Sequence, residues 1–412
     1  MATKISASST ETREPKVVVK RQARVNGRTK NVNSLIPAHQ AGRRAHRPCV
    51  YHQTFRSVPS TLLAGSSARY TGRIESGAFH RSNAGGVLRV QITLSQASSL
   101  TPTWTWFDRL SFRSSGGSAH VTTLYSDSLA FMLNEYADQE LASILPLCNS
   151  SASWGVGAEL PAGSHTFYLP LGKSFMEQLH FDDLSGDILV DFYPMSGGIS
   201  SSGGANTVST DTLSMLMLSD CVTQQDKAQT KALHAGNIIS RVFLAPLRME
   251  HNALALVAGQ ERQLFLDNVT GNVACFQVCI RAAGATNHNN AHFNYVSPGA
   301  ARIDLKNAAG RSELGEGQPV DDDFLRSFVW PRSVGNNFAQ QNACIIIPCC
   351  DSVKAALSGV RSGGYRTYKG DRDTISITPG PGFASGTYQV VVYAYVFKML
   401  HKRGGELIVE NA

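Results

Sequence analysis

Residues Tyr388-Gln-Val-Val-Val-Tyr-Ala-Tyr-Val-Phe-Lys-Met399 are apolar at nearly every position, so no period separates a wet face from a dry one. β-branched and aromatic side chains dominate. The segment reads as a strand buried on both faces, at the centre of a sheet. A central strand needs partners on either side, so the chain around it must supply several more.

Strand patterns recur toward the N-terminus at Thr374 to Thr378, Cys344 to Pro348, Ile303 to Leu305, about His292 to Tyr295, Val273 to Arg281, Arg262 to Leu266 and Ile238 to Leu247. Asp267 to Asn272 reads as a hairpin loop, and Ala283 to about Asn290 as a long polar one. Asp321-Asp322-Asp323 precedes Phe324, Leu325, Phe328 and Val329, where carboxylates favour a helix N-terminus, and Trp330-Pro331 ends that segment.

The residues before Thr223 follow a similar order. From Val87 to Ser95, Leu88, Val90, Ile92 and Leu94 alternate with Arg89, Gln91, Thr93 and Ser95, which predicts a half-buried strand. A strand through Trp104, Trp106 and Leu110 is expected next, then a Ser/Gly turn at Ser114 to Ser118 and a short strand from His120 to Leu124. Asp127 or Ser126 is placed to cap a helix bearing Leu129, Met132, Leu133, Tyr136, Leu141 and Ile144 until Pro146, the longest helix of this half. His165 to Leu169, Asp187 to Tyr193 and Leu213 to Leu218 are further strands, with Ile188, Val190 and Phe192 facing one way. Met195 to Asn206 is too rich in Gly and Ser for packing to be expected.

Charged residues are only 17% of the 412, while Gly, Ser, Thr and Asn abound, a balance that favours many short strands joined by turns. No apolar run reaches the ~20 residues of a membrane span, so a soluble protein made in the cytosol is expected. The polar stretch Thr223 to Thr230 separates two similar orders of strands and helix. The fold class expected is all-β: two tandem jelly-roll β-sandwiches with short inserted helices, over residues 49–222 and 231–412, preceded by a disordered basic arm over residues 1–48.

That arm holds eleven Lys and Arg against Glu11 and Glu14, a surplus of nine; the whole chain carries +7, so the remainder is slightly acidic at −2. Its polar spacers and few large apolar residues leave little to bury, and it should be extended or disordered alone. Lys16, Lys20, Arg21, Arg24, Arg28, Lys30, Arg43, Arg44 and Arg47 are the candidate contacts to an acidic partner.

Catalytic patterns are missing from the sequence. Leu171-Gly172-Lys173-Ser174 ends like a phosphate-binding loop, but Phe167 stands where its first Gly belongs. There is neither a G-x-S-x-G elbow nor an H-E-x-x-H helix. His288 and His292 read as surface histidines, Asp321 to Asp323 as a helix cap, and Asp182-Asp183 and Asp371-Arg372-Asp373 as turns. Trp104, Trp106, Phe107, Tyr365 and Tyr368 are expected in the core or at an interface. Cys275 and Cys279, four residues apart on a strand, stand ~13 Å from one another at ~3.3 Å per residue, too far to share a metal or a disulfide. Adjacent Cys349 and Cys350 would leave a strand on opposite faces, so buried reduced thiols are expected. No enzyme, cofactor, metal or small-molecule substrate follows from these residues.

Three segments resemble the double jelly-roll major capsid proteins of tailless icosahedral viruses, the lineage of adenoviruses, tectiviruses and nucleocytoplasmic large DNA viruses. Asp108 to Leu133 is similar to that family's strand, Gly-containing turn, strand and helix. Phe167-Tyr-Leu-Pro-Leu-Gly172, with Leu184 to Tyr193, resembles the approach to the later strands of its first roll. Tyr388 to Asn411 looks like its closing strand and terminal Gly-containing hairpin. The resemblance implies a viral major capsid protein of the virion, forming homotrimeric pseudo-hexagonal capsomers that tile an icosahedral shell. Ser196 to Asn206 and Ala283 to Asn290 would then face outward. The arm would reach inward to viral nucleic acid, an inner membrane or a minor capsid protein.

The strength of the arm departs from that family and is more familiar in single jelly-roll capsids of small viruses. One alternative is therefore a single jelly-roll capsid protein with a C-terminal projecting β domain and an RNA- or ssDNA-binding arm, in which residues after 230 lack a jelly roll of their own. A cellular β-sandwich binding protein is another.

Overall fold

A computed structural model describes residues 16–25, 28–37, 48–65, 68–76, 82–115, 120–151, 154–172, 184, 186–200, 207–220, 239–283, 296–299, 301–314, 318–329, 344–357, 366–370, 372–403 and 406–411. The chain forms two compact units, Met1–Cys49 and Val50–Ala412. In the first, β1 (Lys16–Val25) and β2 (Arg28–Pro37) pair antiparallel, with Val25 opposite Arg28. The sequence between the strands is Asn26-Gly27, the dipeptide most favourable to a two-residue hairpin, and β-branched Val17, Val18 and Val19 suit a strand. A two-stranded ribbon by itself is marginally stable in water.

The second unit opens with an eight-stranded sandwich. Strands β3 (Pro48–Thr54), β4 (Tyr70–Ile74), β5 (Ser82–Leu94), β6 (Phe107–Ser114), β7 (His120–Tyr125), β8 (Gly163–Pro170), β9 (Ile188–Pro194) and β10 (Val208–Asp220) form two sheets, ordered β3-β10-β5-β8 and β4-β9-β6-β7. Alternation along β5 decides its facing: Leu88, Val90, Ile92 and Leu94 are at most 2% exposed and look into the sandwich. Ile188, Val190 and Phe192 answer from β9. Gly72 of β4 lies against this core, where a Cβ would come within 2.8 Å of the Phe55 ring.

The remaining strands repeat that order. β11 (Ile239–Leu256), β13 (Thr270–Ala282), β16 (Ile345–Pro348) and β19 (Gly386–Arg403) form the sheet β11-β19-β13-β16; β12 (Arg262–Phe265), β14 (Arg302–Lys306), β15 (Val320–Asp321) and β18 (Thr374–Thr378) form β12-β18-β14-β15. Numbered within each half, both sandwiches therefore pair first strand to last, last to third and third to sixth, the jelly-roll order. β17 (Arg366–Lys369) is added to β13, and β20 (Glu406–Asn411) turns back on β19, with Arg403 opposite Glu406. Val390 to Phe397, the predicted central strand, are buried throughout. A jelly roll after residue 230 rules out the reading of a single roll with a projecting domain.

The helical elements depart from expectation. α1 (Ser126–Met132) passes through a 3-10 turn at Leu133–Glu135, is interrupted at extended Tyr136, and is followed by α2 (Asp138–Leu147), which contains Pro146. One long helix is thus two short ones. Neither Asp127 nor Ser126 is the N-cap: Tyr125 is, and the Ser128 hydroxyl accepts from its N–H at 2.8 Å while donating to its carbonyl at 2.7 Å. α3 (Asp322–Phe324) begins directly after β15 with Asp322 and Asp323 in its first turn and widens into a π turn at Leu325–Val329; α4 (Val353–Leu357) follows β16.

Trp104 lies in a 3-10 turn, Thr103–Thr105, with Trp106 as its C-cap, and the strand starts only at Phe107. Both indoles are fully buried, Trp106 donating Nε1–H to the Thr101 carbonyl at 2.8 Å. The Gly/Ser loop is packed over its described part, where Ile199 is 1% exposed and its carbonyl accepts from the Thr101 N–H at 2.9 Å. Gly198 carries φ +77, and a Cβ there would meet the Gly65 backbone nitrogen at 3.1 Å. Residues 201–206, the linker 223–230, most of the 283–290 loop, His288, His292 and the 292–295 strand lie outside the described residues.

Candidate functional site

The strongest concentration of buried polar groups lies where the first sandwich meets the second. β7 leads straight into α1, so the first helical turn projects past the sheet edge toward β13 and β19 of the other half. Asp127 in that turn meets Arg281 near the end of β13. Arg281 Nη2 donates to both Asp127 oxygens at 2.5 Å, and the side chains are 4% and 2% exposed respectively. The Tyr393 hydroxyl of β19 donates to Asp127 Oδ2 at 2.7 Å. Burial, then the adjacent Asp127 charge, push the Tyr393 hydroxyl well above its usual range, against the opposing charges of Arg248 and Arg281. It therefore stays protonated and able to donate.

Aromatic packing extends the contact. Tyr125 and Phe131 of the first sandwich lie 5.7 Å and 4.8 Å, centroid to centroid, from Tyr393 and Tyr395 of β19. The Tyr395 hydroxyl donates to Gln277 Oε1 of β13 at 2.7 Å, in a wholly buried pair. Arg248 of β11 sits at the rim, its guanidinium 5.3 Å from the Tyr125 ring centroid, 2.9 Å from Glu250 and 3.8 Å from Asp108 of β6. Burial works against its charge, but Tyr393, Glu250, Asp108 and Asp127 outweigh it and hold the guanidinium pKa above its usual value. A carboxylate with three donor contacts from the other half, ringed by stacked aromatics, is built to hold two bodies in one orientation.

The outer face of the β4-β9-β6-β7 sheet carries a second ionic group. Asp191 accepts from Thr71 Oγ1 at 2.6 Å and from Arg113 Nε at 3.0 Å, with Arg69 also at 3.0 Å. Burial would raise its pKa, but the hydrogen bonds from Arg113 and Thr71 and both guanidinium charges bring it below the usual carboxylate value. Arg109 lies over the Tyr193 ring at 4.2 Å.

Of the nine candidate arm residues, Lys16, Lys20, Arg21 and Arg24 lie on β1, Arg28 and Lys30 on β2, and Arg43, Arg44 and Arg47 outside the described residues. The thiols follow expectation in part. Cys275 and Cys279 are fully buried on β13, and Cys349 and Cys350 stand just past β16, half-buried; none of the four is in a disulfide. Burial, then the neighbouring Cys350, pushes the Cys349 thiol up to about 12, and burial raises that of Cys275 well above its ordinary value. Among the described residues no three His, Cys, Asp or Glu converge on a possible metal position.

Sequence reasoning missed the junction. It placed Asp127 at a cap and Arg281 at a strand end, and took Tyr393 and Tyr395 as apolar core. Paired hydroxyls at alternate positions of an otherwise apolar strand were the available sign, because buried tyrosines need acceptors.

No protein-family model matches the sequence, and no curated protein sequence does either. Solved structures do match. The VP54 protein of PBCV-1, fitted into a reconstruction of the virophage Sputnik, superposes with TM-score 0.67 at 10% identity, covering 89% of this chain and 97% of that one. The Faustovirus major capsid protein gives 0.56 at 10% identity over 86% and 90%. A structure of the Sputnik virophage itself gives 0.52 at 8% over 100% and 93%. The fold of this chain is that of the double jelly-roll major capsid proteins.

Proposed function

We propose that the chain is a viral major capsid protein that assembles with its own copies, as trimeric pseudo-hexagonal capsomers, into an icosahedral shell. The observation that carries this is the repetition of one eight-stranded topology twice in a single chain, the two halves joined by a buried junction in which Asp127 meets Arg281 and Tyr393. A shell tile needs two similar bodies held at a fixed angle, so that three copies present six comparable edges. The fold shared with known capsid proteins supports the same reading. The role is structural and non-enzymatic, and the place of action is the virion.

The arm of residues 1–48 faces inward in this reading, with sandwiches over 49–222 and 231–412. Its surplus of nine positive charges suits the packaged viral nucleic acid; an inner membrane or a minor capsid protein would present the same negative field. Negative-stain imaging and sedimentation of the purified full chain test the assembly. Trimers or closed shells are expected, and a monomer at every concentration and salt would overturn the proposal.

A further inference from the structure

The outer face of the β4-β9-β6-β7 sheet holds more positive charge than its own ion pairs use. Strand register sets out its members: Thr71, Asp191 and Ser111 stand side by side on β4, β9 and β6, as do Arg73, Leu189 and Arg113, while Tyr193 stands beside Arg109. Arg69 comes one residue before β4 and donates to the Tyr193 hydroxyl at 3.4 Å. The four arginines therefore mark the corners of a rectangle, about 10 Å across the strands and about 13 Å along them, with Asp191 between.

Asp191 answers Arg69 and Arg113, and Asp187 answers Arg73. Four guanidiniums against two carboxylates leave this face at +2, on a body that totals −2. Arg109 has no carboxylate partner among the described residues; it lies over the Tyr193 ring at 4.2 Å. Arg113 reaches Asp191 through Nε at 3.0 Å, which leaves its two terminal nitrogens without a hydrogen bond among the described residues. The side chains of Arg69, Arg73 and Arg113 are 46%, 67% and 40% exposed. Two acids would suffice for two arginines, so the fold itself has no use for the surplus. Held by Asp191 and Tyr193, these guanidiniums are ordered before any partner arrives, which lowers the cost of binding, and their free N–H edges suit oxyanions.

The surroundings select among anions. Tyr193 is taken by Arg69 and Arg109, and Tyr125 by Arg248 and Tyr393, so no ring is left open to stack on the bases of a single strand. A sheet face also has no helix or ribbon to enter a duplex groove. A peptide adds to a sheet along its edge, through main-chain hydrogen bonds, and not across its face. A chain that offers charged esters and little else needs only fixed cations on open ground. We infer that this face binds a sulfated polysaccharide, whose sulfate esters are taken by Arg109 and Arg113 with Arg69 beside them. Such binding is distinct from that of the arm and does not depend on assembly.

Size-defined heparin oligosaccharides and the full-length chain test it. Modification of arginines by phenylglyoxal, mapped by mass spectrometry, should slow several-fold at Arg109 and Arg113 when heparin is present, and should be unchanged by the same oligosaccharide stripped of sulfate. Arg109→Gln removes no ion pair, so it should melt as the wild type does; it should lose heparin affinity several-fold while its affinity for single-stranded and duplex DNA stays the same. Protection confined to the arginines of residues 1–48, or heparin affinity unchanged in R109Q, would overturn the inference. Equal losses toward heparin and DNA would give the face to nucleic acid instead, and protection by polyglutamate as strong as that by heparin would give it to an acidic protein; either result overturns the polysaccharide.

Discussion

Asp127→Asn keeps the shape of the junction carboxylate and removes its charge, leaving the Arg281 guanidinium buried without a counter-ion. The side chains are 4% and 2% exposed, so solvent screening is slight, and breaking such a pair by removing one partner costs about 3–5 kcal/mol. The loss of the Tyr393 acceptor adds about 1 kcal/mol. In a body of this size each kcal/mol corresponds to roughly 2 °C of melting temperature, so a fall of about 8–12 °C is expected. Arg281→Met alone should be comparably damaging. The combination of both changes should be far less so than the sum, because replacing a buried pair by apolar groups is often nearly neutral. Urea unfolding read by far-UV dichroism gives the four free energies of the cycle, and the broken junction should also separate one transition into two, as each sandwich unfolds alone. A cycle in which the two effects simply add, or single variants within about 1 kcal/mol of the wild type, would refute the claim that this pair couples the halves.

Three other outcomes are expected. Asp191, whose pKa is lowered in the folded protein, stabilises above the ordinary carboxylate value of 3.8 and loses that contribution as pH falls through its folded value; the stability gap between wild type and Asp191→Asn should therefore close in acid, and a gap independent of pH would contradict the ion pairs to Arg113 and Arg69. Joint replacement of Cys275 and Cys279 by Ser should lower stability by roughly 1–3 kcal/mol per buried hydroxyl left unpaired, with no change in zinc by elemental analysis; stoichiometric zinc in the wild type would overturn the structural reading of these thiols. Removing residues 1–48 should leave the body oligomeric but nearly unable to bind nucleic acid, while the full chain loses affinity with a log–log salt slope of roughly −6 for single strands to −8 for duplex; equal binding by both would reassign the arm to a protein or membrane partner.

Much of the scaffold was legible because burial leaves a periodic trace. Leu88 to Leu94 alternate since one face of β5 is wet, and Val390 to Phe397 do not because both faces of β19 are dry. The helix break was less visible: Leu133, Tyr136 and Leu141 keep an apolar rhythm through it, and the only local sign is Glu140, whose carboxylate accepts from the Ala137 N–H at 3.2 Å as half of a new capping box. Trp104 and Trp106 mimicked a strand because a spacing of two fits a 3-10 turn that is buried all round. The junction left no periodic trace. Its members are 154 and 266 residues from Asp127, and their meeting depends on how whole sheets are stacked.

The strand order has a consequence for synthesis. In each sandwich the last strand lies between the first and the third, so β11 and β13 have no lateral partner in common until β19 emerges, more than a hundred residues after β13. The contact of longest range therefore has to form last, and until then two sheet edges stay open to wrong partners. A copy cut short before Tyr388 would lack the strand that fills this gap and also the Tyr393 that grips the first half. It would have neither a second body nor a fixed angle to offer. In the shell proposed above, incomplete chains would be excluded without needing to be inspected.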